Sequence, residues 1–433
     1  MRAVENIGAL SVKGFKSFTD AQRLEIRPLT LLAGANSSGK SSALQPLLLL
    51  KQTLEHSFDP GPLLLDGPHV RFTSASQLLT RSGGRQVCEE FEVSIAVGNQ
   101  RLTDVFRRRA DEKFDLARMT YSVGLRTLTL EPGMKGDQIV ETGVGGLLKG
   151  LDGAVVRNRC FLGLAPEESS ISSGIPMLPR TDDFDRALRS ILHVPGLRGN
   201  PLRTYPTTDV GKYFQGTFEN YAASIIAAWQ QSGDDRLDRL SEALCRLGLT
   251  WRIRANPVDA TRVELLVGRL PRQKNGKDDV VNIADVGFGV SQVVPVLVAL
   301  LAAEPGQLIY LEQPELHLHP RAQRELASLL AEAAEKGARI VAETHSSILL
   351  LATQTLVAQG KLAADLVQLH WFTRDASGST QVTNGGLDRL GAYGDWPEDF
   401  GEVQMEADDR YLTAVESAAL GTRKHARKKA DRG

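Results

Sequence analysis

The sequence predicts an α/β fold carrying an antiparallel β subdomain and a helical insertion, on three observations. Apolar runs at 29–33 and 308–311 each lead through a polar turn into a helical pattern, at 42–50 and 321–335, the arrangement of buried parallel strands connected by helices. Strict apolar/polar alternation at 86–98, and again at 117–131, reads as an antiparallel meander. Between these parts Tyr221, Ile225, Ile226 and Trp229, then Leu237, Leu240 and Leu244, recur at helical spacing.

Taken in chain order, the N-terminal segment alternates as two strands near 7–12 and 22–26, separated by Lys13, Gly14, Phe15, Lys16, Ser17 and Phe18. The octet Gly34, Ala35, Asn36, Ser37, Ser38, Gly39, Lys40, Ser41 then fits the pattern G-x-x-x-x-G-K-[ST] without mismatch. Gly34 and Gly39 let backbone N–H groups turn inward around a triphosphate, Lys40 brings a point charge to the β and γ phosphates, and the Ser41 hydroxyl suits Mg2+. Ser42 continues into a helix whose positive end faces the same anion. Strand, glycine-rich loop and helix in that order mark a nucleotide site.

The connection of the meander carries the basic run Arg107 to Lys113, and residues 132–210, rich in Gly, Pro and Ser, show no period that assigns them. A hairpin at 263–269 and 278–283 closes near Asn275 and Gly276. The apolar strand at 308–311 ends in Glu312, Gln313, Pro314 and Glu315, and a carboxylate at that end of a strand is where a Mg2+-binding acid belongs. The strand at 338–342 ends in Glu343, Thr344, His345 and Ser346. A parallel sheet brings both ends beside the phosphate loop. His317 and His319 read either as alternating metal ligands or, with no further Cys or His nearby, as a turn after the strand.

Composition narrows the function. At 42% hydrophobic, 24% charged and net charge −1, the chain is an ordinary globular protein rather than a basic nucleic-acid coat. Cys88, Cys160 and Cys245 are scattered without a C-x-x-C pair, so neither a disulfide framework nor a zinc site is indicated. No apolar run approaches the ~18 residues of a membrane span, and the N-terminus lacks a leader pattern. A cytoplasmic protein is expected.

The Gly14 to Phe18 segment, the phosphate loop, the run Glu312 to Pro320 and the cluster Glu343 to Ser346 together resemble the ATP-binding-cassette ATPases of the SMC, RecF and OLD type. More narrowly, the chain is similar to small stand-alone prokaryotic members, which share segments like 193–205, 285–292 and 395–400. The resemblance implies an ABC-type ATPase head with a RecA-like core. Its parts would be 1–131, the N-terminal head with the antiparallel subdomain; 132–260, a mostly helical or irregular insertion; 261–385, the C-terminal head; and 386–433, an extension with a basic tail.

The resemblance also places roles. Lys40 and Ser41 would hold phosphate and Mg2+, Glu312 would stand for the usual metal-binding aspartate, and His345 would be the switch histidine sensing the γ-phosphate. Residues 287–292, with Gly287, Gly289, Ser291 and Gln292, would be the signature segment reaching a partner's ATP, so that two chains sandwich two nucleotides. A glycine stands where the common signature has serine, and the alternative is a glycine-rich helix start. Gln77, with Gln52 as competitor, would be the glutamine linking Mg2+ to the helical lobe. Gln313 occupies the place of the water-polarising glutamate. An amide cannot accept a proton, so hydrolysis would be slow, with Gln313 orienting water and Glu315 as substitute base.

Neither the OLD nuclease domain nor the SMC coiled coil is recognisable, so a separate effector, for instance a nuclease, would supply any further activity. DNA or RNA is the family's usual ligand, and the runs 107–113 and 423–429 are the candidate contacts. Three functions compete: an ATP-dependent dimerising ATPase in DNA-linked or antiphage work, an ATP-gated scaffold with negligible turnover, and a transporter-associated ATPase.

Overall fold

The computed structural model describes residues 6–82, 85–86, 88–135, 138–142, 154–165, 179, 181–209, 211, 213–269, 279–394 and 409–413. They fall in two compact units, Met1–Tyr393 and Gly394–Gly433; in the second, residues 409–413 are helical. The turn at 275–276, the segment 395–400 and the basic tail 423–429 lie outside the described residues. Among the described residues, no helix is long and apolar enough to cross a membrane.

In the first unit two sheets enclose the helix that follows the phosphate loop. The core sheet has six strands in the order Leu192–Val194, Leu308–Glu312, Arg339–Glu343, Leu29–Gly34, Val367–Arg374 and Thr380–Gly386. The first five are parallel and the last runs antiparallel. Strands covered on both faces need apolar residues throughout rather than on alternate positions, and every residue of Leu29–Gly34 is buried. Arg339–Glu343 lies between the phosphate-loop strand and Leu308–Glu312, pairing Glu343 with Leu32 on one side and with Glu312 on the other. Three carboxyl ends thus open on one crevice, where sheets of this kind bind their ligands.

The second sheet is antiparallel, with seven strands ordered Val140–Thr142, Arg126–Leu130, Phe114–Val123, Gln100–Arg108, Glu90–Val97, Ile7–Lys13 and Gln22–Glu25. Glu90–Val97 alternates strictly between half-buried and buried, as its sequence predicts. Gln100–Arg108 is a strand where the alternation reading placed part of a connection. Its register shifts between Val105 and Phe106, so Asp104, Val105 and Phe106 are buried in succession. That bulge removes the period of two on which the reading depends.

Helix Lys40–Glu55 is buried along most of its length. Leu44, Leu47 and Leu48 share one apolar cluster with Phe91, Leu102 and Phe106 of the antiparallel sheet and with Tyr310, Val341 and Phe372 of the core sheet. A buried leucine is worth about 1.5–3 kcal/mol, so the helix carrying Lys40 and Ser41 is pinned from both sides.

Residues 132–210, which no period assigns, contain the hairpin Ala154–Asn158 with Phe161–Ala165, the helix Asp182–Arg189 and the strand Leu192–Val194. The last joins the core sheet beside Leu308–Glu312. At three residues it is too short to show a period. The part expected at 132–260 as a helical or irregular insertion holds helices Ala222–Ser232 and Arg236–Arg246. They accompany a sheet in which Arg262–Gly268 pairs with Tyr205–Pro206, Ile253–Pro257 and Val280–Asn282. The insertion therefore lends an edge strand to the core and shares its own sheet with residues beyond 260.

Asp104 is buried at 1% exposure, and its Oδ1 has no hydrogen-bond partner among the described residues. Burial raises its carboxyl well above the ordinary range. The folded state therefore holds a proton that the unfolded chain releases above about pH 4, and stability falls as pH rises from there toward the folded value. Asp104→Asn, which cannot ionise, is expected to flatten this slope, so that its stability relative to the unmodified protein rises from pH 5 to pH 8. Thermal unfolding from pH 5 to 8 measures it; parallel curves for both proteins would show that Asp104 is compensated.

Candidate nucleotide site

The loop after Leu29–Gly34 closes as a cradle because glycine alone fits at its two ends. Gly34 has φ 141° and a Cβ there would lie 2.2 Å from the Phe372 carbonyl oxygen; Gly39 has φ 109° and would meet the Thr380 hydroxyl at 2.5 Å. Neighbouring strands brace the loop from behind, with Thr380 Oγ1 donating to the Ser38 carbonyl at 2.8 Å and Arg374 Nε to the Ser37 carbonyl at 2.7 Å. The Ser38 hydroxyl is buried without a hydrogen-bond partner among the described residues, and Ala35, Asn36 and Ser37 form the exposed crest.

Lys40 Nζ donates to the Gly34 and Ala35 carbonyls at 2.9 and 2.8 Å. Burial lowers its pKa, and the charge of Glu343 opposes that shift. An ammonium resting on carbonyls, an orphaned hydroxyl, a cradle that a Cβ would fill and the first turn of helix Lys40–Glu55 suit a polyphosphate. Ser42 lies in that first turn.

The residue the sequence reading passed over is Glu343. Ser41 Oγ donates to Glu343 Oε2 at 2.8 Å, and the Tyr310 hydroxyl donates to Oε1. Glu343 is buried at 3% exposure. Burial, partly offset by the Tyr310 hydrogen bond and reinforced by the charge of Glu312, pushes its carboxyl up to about 7. The signal was in the sequence: two successive apolar strands each end in glutamate.

Glu312 points elsewhere. Its Oε1 meets His193 Nε2 at 3.1 Å and its Oε2 accepts the Gly196 N–H at 3.0 Å. Burial works against ionisation, yet the His193 and Gly196 bonds and the charge of Arg198 hold the carboxyl below its ordinary value. The His193 ring stacks on Tyr310, with centroids 5.3 Å apart. Its Nδ1 faces His69 Nδ1 at 3.0 Å, and His69 Nε2 meets Glu55 at 3.2 Å.

Gln313 stands at φ 44°, with its N–H bound to the Glu343 carbonyl at 3.0 Å; its side-chain amide has no hydrogen-bond partner among the described residues. Arg198 clamps this turn to the segment 287–292: its guanidinium donates to the carbonyls of Glu312, Gln313 and Gln292 at 2.8, 3.2 and 3.2 Å. Burial pulls Arg198 down to about 10.

Gly287 is the N-cap of helix Phe288–Ala302. Gly289 packs on the turn after Glu315, where a Cβ would come within 3.2 Å of the His317 carbonyl. Ser291 Oγ donates to the Phe288 carbonyl, and Gln292 Nε2 to the Gly199 carbonyl. No hydrogen bond joins 287–292 to 34–42 among the described residues. His317, at φ 66°, and His319, the N-cap of helix Pro320–Glu335, occupy a turn. Among the described residues no group of three or more His, Cys, Asp or Glu forms a metal cage. Mg2+ does not need one, since it is commonly held by one or two carboxylates together with phosphate and water, and the Ser41–Glu343 pair fits that donor set.

Glu315 and His345 form the other wall. Glu315 Oε1 accepts from the Thr344 hydroxyl at 2.6 Å and from the His345 N–H at 3.1 Å, while its Oε2 is buried without a hydrogen-bond partner among the described residues. Partial burial first, then the charge of Lys40, lower the His345 pKa, against a hydrogen bond to the Gly34 backbone. The two glutamines lie apart from the Ser41–Glu343 pair. Gln52 is buried and ties the 64–70 segment through Leu64, His69 and Val70. Gln77 bonds Thr73 and lines a cavity of about 330 Å³ with Lys16, Ser17, Arg81 and Arg374. Lys16 reaches Gln45 of the loop helix at 2.5 Å, a second cation near the site that sequence spacing did not single out.

These features define an ABC-type P-loop NTPase head. Residues 150–352, just under half of the chain, match the family described as "AAA domain, putative AbiEii toxin, Type IV TA system". The SmcHead bound to the C-winged helix domain of ScpA is similar over 89% of this chain and 98% of its own, at 14% identity and a TM-score of 0.53. An Smc head domain with an extended coiled coil bound to the C-terminal domain of ScpA, derived from Pyrococcus furiosus, aligns over 95% and 99% at 13% identity and a TM-score of 0.48. The SMC head domain from Thermotoga maritima aligns over 88% and 99% at 12% identity and a TM-score of 0.38. No curated protein matches the chain. The fold is that of an SMC-type ATPase head.

Removing Glu315 leaves the Thr344 hydroxyl and the His345 N–H without their acceptor. Glu315→Ala is therefore expected to cost about 1–3 kcal/mol, read as a lower thermal midpoint; an unchanged midpoint would mean that Glu315 does not brace the switch.

Proposed function

We propose that the chain binds ATP, hydrolyses it slowly, dimerises around two nucleotides and gates a separate effector protein. The observation that carries this reading is the convergence on one crevice of Lys40, the Ser41–Glu343 pair and the His345 turn held by Glu315. Lys40 and the loop N–H groups hold the triphosphate. Mg2+, held at Ser41 with a carboxylate, supplies charge neutralisation at the phosphate oxygens. Gln313 accepts a hydrogen bond from the attacking water and orients it, but cannot remove its proton. Without a general base, typically worth ~10²- to 10⁴-fold, turnover is slow. His345, kept neutral, offers one N–H toward the γ-phosphate.

The signature role of 287–292 calls for a second copy, since among the described residues no hydrogen bond joins this segment to the phosphate loop of its own chain, and Arg198 and Gly289 tie it to the turn after Glu312 instead. A family described as a putative toxin of a Type IV TA system supports action beside a second component; DNA-linked or antiphage work, with a nuclease as one form of effector, is the setting that the resemblance to SMC, RecF and OLD ATPases adds to this proposal. The basic run adds little to nucleic-acid affinity. Arg107, Arg108 and Arg109 are paired with Glu90, Glu89 and Asp111, which leaves few free cations for DNA or RNA phosphates. A second reading, an ATP-gated scaffold with negligible turnover, is favoured by the amide at Gln313.

Light scattering with ATP and Mg2+ is expected to show a dimer that is absent without nucleotide and absent in Lys40→Ala; a mass that never changes would remove the sandwich. Gln313→Glu is expected to raise kcat at least tenfold, toward the ~10²-fold that a base supplies. Equal phosphate release by both proteins would take Gln313 out of the mechanism.

A further inference from the structure

A cavity beside the Arg198 clamp is lined by two charged side chains whose hydrogen bonding the fold leaves incomplete. We propose that it binds a small zwitterion, a branched aliphatic α-amino acid, whose carboxylate meets Arg198 and whose ammonium meets Glu219.

The cavity measures about 210 Å³ and is lined from the 198–206 segment and from the starts of helices Ala222–Ser232 and Phe288–Ala302. At ~30 Å³ for each water it has room for roughly seven waters, or for a solute of about as many non-hydrogen atoms. Valine and leucine are of that size, whereas a whole nucleotide is far larger.

The polar lining sets the charges. Arg198 uses both terminal nitrogens on the carbonyls of Gln292, Glu312 and Gln313, and its Nε is buried without a hydrogen-bond partner among the described residues. Glu219 lines the same cavity. Its Oε1 accepts from the Thr217 hydroxyl at 2.7 Å, and its Oε2 is buried without a hydrogen-bond partner among the described residues. One cavity thus presents an unmet donor on a cation and an unmet acceptor on a carboxylate. Burial lowers the pKa of the first and raises that of the second, the direction in which a buried charge without a bonded counter-ion shifts. Buried polar groups are bonded in the great majority of cases, so two orphans in one cavity call for a shared partner. Water meets the hydrogen bonds but not the charges. A simple anion answers Arg198 and is repelled by Glu219, and a simple cation does the reverse; a carboxylate and an ammonium on one molecule answer both.

The remaining wall sets the body of the ligand. Ala223, Leu265, Ile283 and Val294 line it and are buried, a surface that favours a branched hydrocarbon over a polar group. The occupant lies against Ser291 and Gln292 at the helix start, and one side chain away from Gln313.

The assignment is tested on the full chain, without nucleotide, by calorimetric titration with L-leucine and L-valine, of which at least one is expected to bind at one site per chain. The acids that lack the ammonium (isocaproate, isovalerate) and the amines that lack the carboxylate (isoamylamine, isobutylamine) are expected to bind at least about tenfold more weakly than the matching amino acid, the worth of one hydrogen bond to a charged group. Glu219→Gln, which keeps an acceptor for Thr217 and removes the charge, is expected to weaken the amino acid about tenfold without weakening its acid analogue. Ala223→Leu, which fills the cavity and leaves both charges in place, is expected to abolish binding. Absence of heat with both amino acids in the unmodified protein, or equal affinity for an amino acid and its two analogues, overturns the assignment. Binding of uracil, an amide edge without charges, in place of the amino acids overturns it as well. None of these readouts depends on the ATP site.

Discussion

The parallel register of three strands is the constraint on which the rest of the site depends. Pairing Leu32 with Glu343 and Glu343 with Glu312 brings a phosphate loop and two acids into line although some 300 residues separate them in sequence. The side chains need only short reaches once the strands are fixed. The strands are fixed by their own apolar residues and by the helix packed against them, so the chemistry at the crevice depends on a core that never touches it.

Behind the crevice the polar contacts divide by function. The phosphate loop is braced by Thr380, Arg374 and Ser17 from the far strand and the N-terminal segment. The turn at His345 is braced by Glu315, and helix Phe288–Ala302 by Arg198 and by Gly289 packing on the turn after Glu315. Each brace is a side chain from one functional segment bonded to the backbone or hydroxyl of another. The sheet thus acts as a frame on which three small loops hold one another.

The parts that were legible in the sequence are those whose physics is local. The phosphate loop shows itself because its residue types are dictated by backbone conformation and charge within eight positions, and Gly34 and Gly39 are required by contacts at 2.2 and 2.5 Å. The long buried strands and the alternating Glu90–Val97 were equally plain. Gln100–Arg108 was missed because its bulge buries three residues in a row, and Leu192–Val194 because three residues carry no period. Glu343 was quoted within its cluster but not weighed, because its significance lies in a register with Leu32 and Glu312 that no linear spacing encodes. Gln77 is placed by distance along the chain alone, and in the fold its side chain bonds Thr73.

The Arg198 clamp has a mechanical consequence. Because one planar guanidinium grips the carbonyls of Glu312, Gln313 and Gln292 at once, the turn after Leu308–Glu312 and the start of helix Phe288–Ala302 are tied through a single side chain. Neither segment can shift relative to the other without breaking hydrogen bonds of that one side chain, so the two are held in a fixed relation by a residue that belongs to neither.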